Sequence, residues 1–71
     1  MRNMKEITRL TVDQYNAIVT YRVMGTPIGT SKYDGAPYYI ETSRNGKPFI
    51  RGFRYNYKSN AMRALKREVA R

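Results

Sequence analysis

Apolar and polar positions alternate between residues 38 and 55, on either side of an Asn45-Gly46 pair. Both residues of an Asn-Gly pair accept the positive φ angles of a tight two-residue hairpin turn. The stretch is also rich in tyrosine, phenylalanine and isoleucine, which favour strands. The pattern therefore predicts a β-hairpin over residues 38–55.

A two-residue turn also fixes the register of this hairpin, with Thr42 opposite Phe49 and Ile40 opposite Arg51. One predicted face is mostly apolar and packs on a helix; it consists of Tyr38, Ile40, Thr42, Phe49, Phe53 and Tyr55, with Arg51 as its one charged member. The other face is mixed and points outward; it consists of Tyr39, Glu41, Ser43, Ile50, Gly52 and Arg54.

Residues 58–71 have the spacing of an amphipathic helix. An apolar stripe at intervals of three and four is formed by Ala61, Met62, Leu65 and Val69. Ser59 or Asn60 is a suitable N-cap. We expect this helix to lie across the hairpin.

Residues 11–24 fit either a helix or a strand. Thr11 and Gln14 form a capping box, and Gly25 followed by Pro27 is a stop signal, so both ends suit a helix. The alternation of apolar residues from position 15 to 23 suits a strand. We favour the helix, because its boundary signals are independent of the periodicity, and we expect a short strand over 5–10.

Residues 25–37 contain three of the five glycines and two of the three prolines, which predicts a long loop. Long loops in small domains are either plain connectors or functional segments. Together these elements predict one α+β domain over residues 1–71. A small antiparallel sheet, made of the 38–55 hairpin and a possible third strand, packs against the C-terminal helix.

The chain contains no cysteine and no histidine. Disulfides, zinc sites of the usual kind and histidine acid–base catalysis are therefore excluded. Its five carboxylates are scattered over several predicted elements, so we expect neither an enzyme nor a bound cofactor or metal. The apolar runs are too short to cross a membrane, and we expect a cytoplasmic protein.

The positive charge is strongly segregated along the chain. Residues 1–43 hold five basic and four acidic side chains, whereas residues 44–71 hold nine basic side chains and one acid. Nearly all of the net charge of +9 therefore lies in the second half. Such asymmetry favours an anionic partner for that half.

Eight residues are the candidate nucleic-acid contacts. They are Arg44 and Lys47 at the hairpin tip, Tyr39 and Arg54 on the outer face, and Lys58, Arg63, Lys66 and Arg67 on the helix. The tip and helix cations would bind phosphates, Arg54 could bond a guanine edge, and Tyr39 could stack or bond a phosphate. Arg51 is expected to be structural, stacked on Phe49 or Phe53.

The stretch "YYIETSRNGKPFIRGFRYNYKSNAMRALKREVA" resembles the arm-binding domain of phage and transposon tyrosine recombinases and the related Apetala-type plant DNA-binding domain. In those families a three-stranded sheet, backed by a C-terminal helix, lies in the DNA major groove. The resemblance implies that Arg44, Lys47 and Arg54 contact DNA. If residues 11–24 are helical, "GKPFIRG" and "KSNAMRAL" instead resemble a double-stranded-RNA-binding domain, in which Lys58 matches one phosphate-binding lysine.

The sequence therefore predicts a small nucleic-acid-binding module, with duplex DNA favoured over RNA, that acts as an accessory or regulatory factor. The alternative is a protein-interaction module or inhibitor that binds an acidic surface of a partner protein, with Tyr39 and Ile50 as its hot spots. The two hypotheses differ in whether apolar or charged side chains dominate the binding energy.

Overall fold

The computed structural model describes residues 4–26 and 35–70. Four strands precede one helix, and their bounds are β1 Lys5–Gln14, β2 Ala17–Gly25, β3 Tyr38–Arg44, β4 Ile50–Tyr55 and α1 Lys58–Val69. The strands form one antiparallel sheet in the order β1-β2-β3-β4, and α1 packs on one face of it. The predicted small α+β architecture is therefore confirmed.

The helix predicted over residues 11–24 is wrong. This segment contains the end of β1, a two-residue turn and most of β2, with Gln14 paired to Ala17 across the turn. Tyr15 and Asn16 at the turn have φ angles of 54° and 60°, the left-handed values that a primed hairpin turn needs. The short strand expected over 5–10 is accordingly the first part of the ten-residue β1.

Burial explains why the strand is preferred in this segment. β2 lies between β1 and β3, and every second residue from Ala17 to Val23 is buried under α1. In a helix the same residues would spread around the axis, and several would face water. The capping box is worth only about 1 kcal/mol, whereas each buried valine contributes about 1.5–3 kcal/mol.

The β3–β4 hairpin forms, but its predicted register is wrong. Asn45 and Gly46 adopt positive φ angles of 52° and 78°, as expected for the turn. Pairing resumes only at Thr42 opposite Ile50, because Pro48 has no amide proton to give to the ladder. The three residues 47–49 are therefore outside the strands.

A second irregularity follows within the same hairpin. Tyr39 pairs with Arg54, and Glu41 pairs with Arg51. On β4 the two residues Gly52 and Phe53 therefore lie opposite Ile40 alone. This is the arrangement of a β-bulge. A Cβ built on Gly52 would lie 3.1 Å from the Ile40 carbonyl oxygen, a close approach that glycine accommodates best.

The helix α1 covers the core with its small and aliphatic residues. Ala61, Ala64 and Leu65 are buried against β2 and β3, and Met62 and Val69 are partly buried beside them. The predicted apolar stripe is thus confirmed, with Ala64 as an additional member. The predicted caps are wrong, because Tyr57 occupies the N-cap position and makes no side-chain capping bond.

A buried polar contact joins the C-terminal end of α1 to the first hairpin. The Gln14 Nε2 atom donates to the Glu68 carbonyl oxygen at 2.9 Å, and the Tyr21 hydroxyl donates to Gln14 Oε1. The last turn of the helix is therefore held over the β1–β2 turn.

The loop predicted over residues 25–37 falls mostly on residues 27–34, outside the described residues. Its two described ends meet, since the Thr26 amide donates to the Pro37 carbonyl oxygen at 2.8 Å. In the part of the chain that the structure describes, no helix has the length and apolar character needed to cross a membrane.

Candidate nucleic-acid interface

The sheet has two different faces. We call the face under α1 the helix side and the opposite face the free face. Side chains alternate between them along each strand, so Ala17, Val19 and Tyr21 of β2 lie on the helix side while Thr20 and Arg22 lie on the free face. Basic residues occur on both, and their surroundings differ.

The free face carries a row of ion pairs across three strands. Arg9 of β1 bonds Glu6 at 2.8 Å, Arg22 of β2 lies 3.7 Å from the same carboxylate, and Arg22 also bonds Glu41 of β3 at 2.6 Å. The hydrogen bond from Arg9 lowers the pKa of Glu6 below its ordinary value, and the same bond raises the pKa of Arg9. These arginines are therefore largely neutralised by acids of the same face.

Arginines of the free face are also stacked on aromatic rings. The Arg22 guanidinium carbon lies 3.6 Å from the centre of the Phe49 ring. The guanidinium carbons of Arg51 and Arg54 each lie 4.7 Å from the centre of the Tyr39 ring. Arg51 directly precedes the Gly52–Phe53 bulge, and Arg54 directly follows it. Tyr39 is only 1% exposed, although it belongs to the face that has no helix.

Two predicted contact residues therefore have structural surroundings. Tyr39 is on the predicted face, but it is covered, so it does not offer a ring for stacking. Arg54 donates from Nε to the Ala36 carbonyl oxygen at 2.9 Å and from its terminal nitrogen to the Thr26 hydroxyl oxygen. These bonds connect β4 to both described ends of the 25–37 segment.

The predicted positions of Arg51 and Phe49 are wrong. Arg51 lies on the free face against Tyr39 instead of on the helix side against a phenylalanine. Phe49 lies on the free face under Arg22 instead of in the core. The one-residue shift at Pro48 causes both changes, because a shift of one position exchanges the two faces of a strand.

The helix carries four exposed cations: Lys58, Arg63, Lys66 and Arg67. None of them forms an ion pair with a described acid. Glu68 is the one acid in α1, and the first turn of the helix contains no acidic residue. The helix surface is therefore strongly basic.

Arg44 and Lys47 are both exposed at the β3–β4 turn, where the Lys47 amide donates to the Arg44 carbonyl oxygen at 3.0 Å. The Asn45 side chain accepts a bond from the Ile18 amide at 2.9 Å, which ties this turn to the start of β2. Because Gln14 anchors the end of α1 at the same end of the sheet, the tip cations and the last helical turn lie at one end of the molecule.

The balance of charge differs between the two sides. The free face holds four arginines and three acids. The arginines are Arg9, Arg22, Arg51 and Arg54, and the acids are Glu6, Asp13 and Glu41. The six tip and helix cations are accompanied by Glu68 alone. We call these six residues, Arg44, Lys47, Lys58, Arg63, Lys66 and Arg67, the basic surface. Six cations less one acid give the basic surface a net charge of +5, whereas four arginines less three acids give the free face +1.

Two large apolar side chains that the sequence reading misplaced are exposed beside this surface. Ile50 is 74% exposed and Phe53 is 84% exposed, and both line grooves between β4, the sheet and the end of α1. The pattern had assigned Phe53 to the core and Ile50 to the outer face together with Tyr39. The proline at position 48 and the glycine at 52 were the only signals of this irregular strand.

Among residues 4–26 and 35–70, no three carboxylate side chains come together in a way that would hold a metal ion. Comparison of the chain with known protein families, with curated proteins and with solved structures found no match.

Proposed function

We propose that this chain binds nucleic acid, with duplex DNA preferred over RNA, and that the basic surface contacts the phosphate backbone. In this proposal the protein is an accessory or regulatory factor. Lysine and arginine contacts to phosphates supply most of the affinity of such binding and carry little sequence information.

The observation that carries the proposal is the contrast in pairing between the two sides. The arginines of the free face are paired with Glu6 and Glu41 or stacked on the buried Tyr39 ring. The six cations of the basic surface have no acidic partner among the described residues. Cations without acidic partners keep their full charge available to a phosphate backbone.

The order of the elements supports DNA over RNA. The resemblance to a double-stranded-RNA-binding domain depends on a helix over residues 11–24, whereas these residues form the end of β1, a turn and most of β2. The sheet with its C-terminal helix is closer to the recombinase arm-binding arrangement. It differs in having four strands, and the neutralised free face leads us to assign the phosphate contacts to the tip and α1.

The test is fluorescence anisotropy of a labelled DNA duplex at a series of salt concentrations. On duplex DNA, the plot of log affinity against log salt has a slope of about −0.9 for each phosphate neutralised. Arg44→Ala/Lys47→Ala and Arg63→Gln/Lys66→Gln each remove two cations of the basic surface. We expect each pair to flatten the slope by about 1–2.

The matched control is Lys5→Gln/Arg9→Gln, which lowers the net charge by the same amount from β1. We expect it to change the slope by less than about 0.5. If all three double variants flatten the slope equally, the binding depends on net charge alone and the assigned surface is wrong. If wild-type protein fails to bind at about 50 mM salt, the function itself is wrong.

A further inference from the structure

The strand β4 is an edge of the sheet. It pairs with β3 on one side, and no strand of the described residues pairs with its other side. An edge strand has backbone amides and carbonyls that face outward in an alternating row. Such a row is what an extended peptide uses when it adds to a sheet.

This edge is flanked by exposed apolar side chains. Ile50 and Phe53 border grooves of about 360 and 350 Å³ that meet at Thr42 and Gly52. Gly52 has no side chain to close the groove between them. Their exposed fractions are the highest among the large apolar side chains of the described residues, and exposed apolar patches mark interaction sites.

The charges around the edge select the kind of partner. Arg44 and Arg51 line the groove beside Ile50, and Arg67 lines the groove beside Phe53. Arginine around aromatic and aliphatic residues, without lysine, is the composition of a protein interface. A second copy of this chain is disfavoured, because each copy carries a net charge of +9.

We propose that β4 is the docking edge for an extended segment of a partner protein in which acidic and apolar residues alternate. The segment adds to the sheet as a fifth strand. Its apolar side chains cover Ile50 and Phe53 on the helix side, and its carboxylates, which alternate onto the free face, pair with Arg51. This binding goes beyond the proposed nucleic-acid contacts and does not require them.

The first test uses a synthetic peptide of about six residues, the usual length of a strand, in which valine and glutamate alternate. The isotope-labelled full chain is titrated and its amide signals are followed by NMR. We expect the peptide to shift and protect amides of β4, and to bind at least about tenfold more tightly than a valine–lysine peptide of the same length. Methylation of alternate peptide amides should abolish binding.

The second test separates docking at β4 from nonspecific binding to exposed apolar side chains. Ile50→Ser and Phe53→Ser remove exposed side chains, so the fold should persist, and each should weaken peptide binding about tenfold. Ile18→Ser, an exposed isoleucine on the free face, is the matched control and should change affinity less than about twofold.

Two results would overturn the proposal. One is the absence of peptide binding at about 1 mM, or protection at β1 in place of β4. The other is a selective loss of DNA affinity in Phe53→Ser and Ile50→Ser with peptide binding unchanged, which would assign the groove to nucleic acid. Because the peptide assay contains no DNA, its outcome is independent of the salt-slope experiment.

Discussion

Replacing Tyr39 with leucine should lower the free energy of unfolding by about 2–3 kcal/mol. The ring is buried, and the guanidinium carbons of Arg51 and Arg54 each lie 4.7 Å from its centre. A guanidinium over an aromatic ring is worth about 0.5–2 kcal/mol, depending on how far it is desolvated. Two such contacts and the smaller volume of leucine account for the expected loss.

Urea denaturation followed by circular dichroism measures this loss, with Tyr39→Phe as the control. Phenylalanine keeps a ring that both arginines can contact, so we expect that variant to lose less than about 1 kcal/mol. A double-mutant cycle with Arg51→Ala then isolates one contact. Arg51 suits the cycle because its guanidinium stacks on Tyr39 from an exposed position, whereas Arg54 also bonds Ala36 and Thr26.

The expected coupling energy between Arg51 and Tyr39 is about 0.5–1 kcal/mol. A coupling energy of zero within error would refute the stacking argument, because it would mean that the guanidinium gains nothing from the ring. DNA affinity gives a second check. If Tyr39→Phe weakens DNA binding about tenfold, the hydroxyl contacts the ligand and the structural role assigned to Tyr39 is wrong.

Two smaller changes test local features of the fold. Gly46→Ala should cost about 1 kcal/mol in urea denaturation, because its φ of 78° disfavours any residue with a Cβ. Gly35→Ala should be near neutral, since nothing lies within 4 Å of its Cβ position. For Glu6, an NMR titration should give a pKa below the ordinary value, so the stability it contributes is present above the ordinary pKa and declines as pH falls through the lowered one. Arg9→Gln should raise the pKa of Glu6 toward its ordinary value, and an unchanged pKa would contradict the assigned bond.

The elements that the sequence predicted correctly are those whose signals are local. The Asn45-Gly46 turn follows from the φ angles that these two residues tolerate, and α1 follows from the spacing of its apolar stripe. Neither depends on the rest of the molecule. The class of the fold followed from these two elements, because a hairpin and a helix of this size have few ways to bury their apolar faces.

The β1–β2 hairpin could not be predicted in the same way. Its turn is Tyr15-Asn16, and tyrosine is uncommon at a positive φ angle. The Thr11–Gln14 capping pattern was coincidental, since both residues lie in β1. What decides the segment is the place of β2 between two other strands, which is a tertiary property. The alternating apolar residues were visible, but alternation alone did not outweigh two helix-end signals.

The basic surface and the free face differ in how well their chemistry could be anticipated. Exposed cations on α1 follow from helical periodicity, so Arg63, Lys66 and Arg67 were placed correctly. The free face depends on register, and a single proline reversed the faces of Phe49 and Arg51. Arg54, which the sequence predicts to contact nucleic acid, therefore has structural partners in the fold. The segregated charge of the chain becomes informative about a partner only after the paired arginines of the free face have been set aside.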